Sequence, residues 1–393
     1  MGRLNLLAPE VRNDPYPHYA EMRRSAPVCQ VDPAGMWAVS RHDDIARVCK
    51  DTEVFSSAGM RALATHPGIE HNPLAESILL MDPPEHTKAR ALVSHVFGAS
   101  AIPRLEPLVR AAAVEAVEAI RAGGVVDFCE VMATRVPATA IAALLGLDVE
   151  LRNQMKRWSE GFESVNPGIA PERIPEVKAT IAAMEGYLVE VLESRRQAPR
   201  DDLVSDLLAA QLDGTALTQE EIVSFLCLLL VAGLETTSHL LTNTARLLVH
   251  RPDVHDRVRR DPALVPALIE EMLRFDPPAH GIVRLATADA EIGGVPVAAG
   301  SLVLLLLASA GRDESKYEAP ERFDLDRPRQ LNMAFGHGAH FCIGAVLARA
   351  EARIALEELF KLPGRFEEVE TERTWNTSLS VRGMVRYLIR YVG

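Results

Sequence analysis

Residues 222–234 read IVSFLCLLLVAGL, a run without a single charge that leads into Glu235-Thr236-Thr237. Such a stretch is short for a bilayer span and reads instead as a helix enclosed by protein on all sides. Thr218-x-x-Glu221 just ahead is a capping-box signature for its start. The enclosing helices are at hand, because from Pro103 to Leu212 apolar residues recur at three- and four-residue spacing. DPYPHYAEMRRSAP predicts a short helix opened by Asp14 and Pro15 and closed before Pro27. VCQVDPAGMWAVS predicts a hairpin around Asp-Pro-Ala-Gly, and Ser56 to Ser77 a long loop. After Pro277 the texture changes to short strands, one more helix comes after Cys342, and the last thirty or so residues read as extended. The expected architecture is therefore mainly α with a smaller β portion. No linker separates independent domains, so residues 1–393 are taken as one unit.

Several function classes are disfavoured. A net charge of −12 argues against nucleic acid as a partner, because phosphate binding needs a basic face. Five cysteines without a C-x-x-C pair fit a reducing cytoplasm rather than a disulfide framework. No targeting segment is visible at the start, MGRLNLLAPE. The expectation is a soluble, cytoplasmic monomer with no membrane partner.

The chemistry concentrates at residues 335–344, FGHGAHFCIG, directly ahead of the helical run AVLARAEARIALEELF. His337, His340 and Cys342 could grip zinc, but three ligands packed so tightly rarely wrap one tetrahedral ion. A lone structural cysteine is the plain alternative. Gly338 and Gly344 count against it, since they permit tight turns and close approach of a flat ligand. The helix starting after Cys342 would also aim free N–H groups at the sulfur and favour its thiolate.

Phe335, Gly338, His340, Cys342 and Gly344, as F-x-x-G-x-H-x-C-x-G, resemble the haem-binding loop of the cytochromes P450. The resemblance implies the cytochrome P450 fold, haem b as cofactor, Cys342 as the axial iron ligand and His340 as a contact to a haem propionate. Three further motifs fit the same family in the same order. In HTKAR, His86 and Arg90 lie one helical turn apart, and Arg284 in GIVRLA resembles a further propionate partner. In VAGLETTSHLL the resemblance makes Thr236 the hydroxyl that hydrogen-bonds the oxygen being activated and Glu235 the proton relay, with a helix bend at Gly233. In EEMLRFDPP, Glu271 and Arg274 share a helix face, and Arg322 of PERF matches the family's third member of a buried charge network.

By the same resemblance the chain is expected to be a haem-thiolate monooxygenase, inserting one atom of O2 into an apolar organic substrate by hydroxylation or epoxidation. Electrons would come from a separate ferredoxin and ferredoxin reductase, steered by Lys88, Arg104, Arg110, Arg349 and Arg353 on the thiolate side. A peroxide-driven peroxygenase and a haem-thiolate sensor without turnover are the alternatives. The substrate pocket is expected among residues 59–78, 162–170, 231–235, 279–283 and Ser380. His280, if its segment is extended, would share Arg284's side and offer a polar anchor there.

Overall fold

The computed structural model describes residues 3–96, 102–165, 169–211, 214–328, 330–369 and 373–393. Its axis is the helix Gln219–His250, opened by the expected capping box: Thr218 accepts from the Glu221 N–H and Glu221 accepts from the Thr218 N–H. By length and composition this helix could cross a membrane, because it continues well past the apolar run. Its surroundings make it a core element instead. Leu226, Cys227 and Leu241 are fully buried, and each such leucine contributes about 1.5–3 kcal/mol. The helices Arg135–Leu145, Arg152–Glu163, Ile174–Gln197 and Ala345–Leu359 pack around it. At Gly233 the neighbouring helix comes so close that a Cβ would lie 2.6 Å from Ile141 Cδ1. Close approach of that helix gives this glycine a packing reason, and the helix runs on to His250.

The β portion is smaller. Six strands form the main sheet in the order Leu4–Asn5, Val28–Asp32, Met36–Val39, Leu302–Leu305, Ile282–Ala286 and Phe55–Ser56. The expected hairpin pairs Val28 with Val39 and Val31 with Met36. Period-two alternation splits the sheet's apolar residues between its faces. Val39, Val303, Leu305 and Ala286 join one cluster, whereas Ala38, Leu304 and Val283 join another with Tyr16 and Tyr19.

Two expectations need correction. The span 103–212 is not helical throughout: Val125–Asp127 is a strand paired with Leu388–Arg390. Gly123 and Gly124, both at positive φ, end the preceding helix and turn the chain into that sheet. The 56–77 segment is more ordered than a loop, with 3-10 turns at Ala58–Leu63 and Pro73–Glu76. Buried Asn72 organises it, accepting from the Leu74 N–H and donating to the Ala64 carbonyl.

Candidate active site

The loop ahead of the helix Ala345–Leu359 is folded by its glycines. Gly336 and Gly338 both have φ +73, and a Cβ on Gly338 would sit 2.6 Å from the Cys49 carbonyl oxygen. Only glycine passes there without strain. The turn is closed by the Cys342 N–H donating to the Phe335 carbonyl at 2.9 Å, and Arg349 lies over the Phe335 ring at 4.4 Å. Gly344 serves differently, as the N-cap of the helix, with space for a Cβ 3.9 Å from Cys342 Sγ.

The sulfur has accessible surface yet lies deep enough for burial to push its thiol up. Working against burial are the N–H groups of Gly344 and Ala345 and the charges of Arg90 and Arg349. The expected helix N–H groups are therefore present, but desolvation outweighs them. A metal cation bound at the sulfur would offset that penalty and favour the thiolate. Among the described residues no group of three His, Cys, Asp or Glu could hold a metal ion, so the zinc alternative has no site.

Around this loop the structure gathers the four expected cationic or imidazole side chains from separate elements. His86 and Arg90 come from the helix Glu85–Val96, Arg284 from the strand Ile282–Ala286 and His340 from the loop itself. The His86 and His340 rings pack at 4.1 Å between centroids. Ser57 Oγ, which the sequence did not single out, lies 3.1 Å from His340 Nε2. Arg90 donates to the Phe341 carbonyl at 2.6 Å, and Arg284 donates to the Val283 carbonyl at 2.8 Å. Burial lowers all four groups. For His340, burial and then His86, Arg284 and Arg90 depress the imidazole to about 3. Both ring nitrogens of His86 are buried with no partner among the described residues. Asp82 acts on His86, Arg284 and His340 from nearby, but its carboxylate bonds Ser56 and Ser57, and a buried polar group without a partner costs about 1–3 kcal/mol. A flat ligand bearing two carboxylates, with a metal centre for Cys342, supplies what the residues lack. Haem fits this site.

On the central helix, Thr236 donates its hydroxyl hydrogen to the Ala232 carbonyl at 2.8 Å. Glu235 is held on both sides. His239 Nε2 lies 3.2 Å from its Oε1, and Asn376 Nδ2 donates to the same oxygen at 3.2 Å. Neither partner was anticipated. His239 was detectable in principle, since position i+4 on a helix faces position i, but Asn376 arrives from 141 residues away.

The bracing network stands, with one member changed. Arg274 grips Glu271 with two bonds, of 2.8 and 2.7 Å, both side chains being buried. The third member is Arg327, whose Nε is 3.2 Å from Glu271 Oε1, and not Arg322. Arg322 turns outward to Asp324 and contributes only its carbonyl, which accepts from Arg274 and Arg327. PERF and DRP lie five residues apart in one irregular turn, and spacing alone does not say which side chain points inward.

Two further expectations fail. The basic patch is largely neutralised: Arg104 pairs with Asp201, Arg110 with Glu106, Glu357 and Glu358, Arg349 with Glu270, and Arg353 with Glu106 and Glu357. His280 does not share Arg284's side. The N–H groups of His280 and Gly281 both donate to the Ser380 carbonyl, which breaks the two-residue alternation just before the strand. The ring instead packs among Tyr16, Tyr19 and Asp276, on the opposite face of the sheet. Of the expected pocket segments, residues 166–168 lie outside the described residues, and Phe162 and Ile169 are buried in the helical core.

Fold and site together define a haem-thiolate protein. The cytochrome P450 family model matches residues 129–366. Cytochrome P450 109 of Bacillus spizizenii is 38% identical over 90% of this chain and 85% of its own length. Erythromycin C-12 hydroxylase of Saccharopolyspora erythraea is also 38% identical, over 88% of this chain and 86% of its own. The solved structure of cytochrome P450 CYP109Q5 from Chondromyces apiculatus superposes with a TM-score of 0.91 at 38% identity, covering 99% of this chain and 98% of that one. The chain belongs to the cytochrome P450 family. It is a haem b monooxygenase of the bacterial type.

Proposed function

We propose that the protein hydroxylates or epoxidises an apolar organic substrate, with Cys342 as the axial ligand and electrons supplied by a ferredoxin-type donor. In the overall reaction one atom of O2 enters the substrate, while two electrons and two protons reduce the other to water. The haem, when bound, supplies the oxygen-activating redox chemistry. The chain's own residues bind, orient and deliver protons.

The observation that carries the reading is Cys342 at the head of its helix beside four cationic or imidazole groups. His86, Arg90, Arg284 and His340 would hold the two propionates through charge-assisted hydrogen bonds. Thr236 has its hydrogen committed to Ala232, so its lone pairs are ready acceptors and it donates only after rotating. Glu235, one residue earlier, is the acid placed to pass protons inward. The pocket would be walled by Gly59, Val231, Ala232 and Ile282, all at least partly exposed and none of them polar. Apolar walls select a substrate by shape, with few polar contacts to orient it. The similarity to erythromycin C-12 hydroxylase supports oxygenation of an organic small molecule.

The test is turnover under 18O2 with NADH and a surrogate ferredoxin and reductase. Ligands are first screened for a shift of the Soret band. One 18O atom per product molecule, with NADH consumed, is the expected result. Product formed only with hydrogen peroxide would make the protein a peroxygenase, and Soret shifts without product under either condition would make it a sensor.

A further inference from the structure

The clamp on Glu235 carries an inference beyond the family assignment. Its carboxylate oxygen Oε1 meets two nitrogens, His239 Nε2 one turn along the same helix and Asn376 Nδ2 from 141 residues away, each at 3.2 Å. The orientation of Asn376 is settled by its surroundings. Its Oδ1 accepts from Arg12 Nη2 and from the Gly383 N–H, so its NH2 group must be the end facing Glu235. Arg12 is itself buried and bonds the Asn376 carbonyl as well, at 2.8 Å. A cation thus stands behind the amide and strengthens its donation.

His239 shows the marks of a built site. It is buried, and its Nδ1 has no partner among the described residues. A leucine would fill the volume without stranding a nitrogen, so packing alone gives no reason for histidine there. The opposing strand makes room for it, because a Cβ on Gly383 would lie 1.9 Å from Nδ1. Residues 376 and 383 face each other across a narrow hairpin, next to the bridge between Trp375 and Met384. The tip of that hairpin carries Ser380, whose carbonyl holds the N–H groups of His280 and Gly281. The partner of the acid therefore rides on the same hairpin as an expected wall of the pocket.

We propose that His239 and Asn376 are positioning residues that fix the rotamer and the charge of Glu235. The assignment rests on the reading of Glu235 as the proton-delivering acid. Both donors favour the ionised carboxylate. The charged and titratable groups behind them are Arg12 and Arg382, then Asp276, which pairs with Arg382, and His280.

The experiment is an infrared titration of the ferric holoprotein, with the Glu235 carboxyl band assigned by difference against Glu235→Gln. Haem content and circular dichroism report on folding. In His239→Leu and in Asn376→Leu the titration midpoint is expected to rise by about one pH unit or more. His239→Gln keeps an N–H donor and should restore most of the shift. Product formed per NADH should fall in His239→Leu and recover in His239→Gln. An unchanged midpoint in both leucine variants overturns the clamp. If Glu235→Gln keeps the parent's product per NADH, the proton-delivery reading fails instead, and the infrared midpoints still decide whether the clamp exists.

Discussion

Replacing Arg327 or Arg322 tests which arginine ties the turn after Glu318 to Glu271. Arg327 is about one tenth exposed; it meets Glu271 through Nε and donates to the carbonyls of Glu318, Ala319 and Arg322. Arg327→Met removes all of these bonds. It also leaves Glu271 Oε1 with Arg274 and the Asp324 N–H alone. Because Glu271 stays paired with Arg274, the cost is that of lost charge-assisted hydrogen bonds, about 1.5–3 kcal/mol, and not that of a buried charge left without a partner. For a chain of this length that is a fall in Tm of about 2–4 °C. Arg322 has 68% of its side chain exposed and, among the described residues, pairs with Asp324 alone, so Arg322→Ala should stay within about 0.5 kcal/mol. The matched assay is thermal and guanidinium denaturation of the holoproteins, with haem retention followed through the Soret band. Equal losses in the two variants, or a larger loss in Arg322→Ala, would refute the assignment of Arg327 as the inward member.

Cys342→His should abolish the strongly red-shifted carbon monoxide band of the reduced protein even where haem still binds; an unchanged band removes Cys342 as ligand. Thr236→Ala should bind substrate and accept electrons as the parent does while diverting oxygen to peroxide, seen as less product per NADH, and equal coupling would count against the hydroxyl. His280 is held neutral at about 4, chiefly by burial, and Asp276 beside it lies well below the usual carboxylate range, where Arg382, His280 and Arg246 outweigh burial. Both folded values are below the unfolded ones, so their stabilisation is complete above about pH 6.5 for the histidine and about pH 4 for the aspartate, and is lost on acidification. His280→Phe should therefore lose less stability than the parent between pH 7 and pH 4.5 in guanidinium midpoints, with product ratios unchanged; parallel pH slopes would overturn the assignment.

Local order was readable because it depends on local letters. The capping box at Thr218, the hairpin at 28–39, the glycines around Cys342 and the one-turn spacing of His86 and Arg90 each act over a few residues. The sequence by itself therefore determined a mainly helical chain, the cysteine loop and the cationic groups beside it. Tertiary structure decided which way side chains point wherever the backbone leaves regular periodicity. A doubled hydrogen bond to Ser380 turned His280 away from the expected side, and an irregular turn brought Arg327 rather than Arg322 to Glu271. It also decided every contact made across long separations. Asn376 reaches Glu235, and acidic partners neutralise the arginines near the cysteine loop, only because packing brings distant segments into hydrogen-bond range. Loop closure of that kind depends on the whole core, and no window of neighbouring residues encodes it.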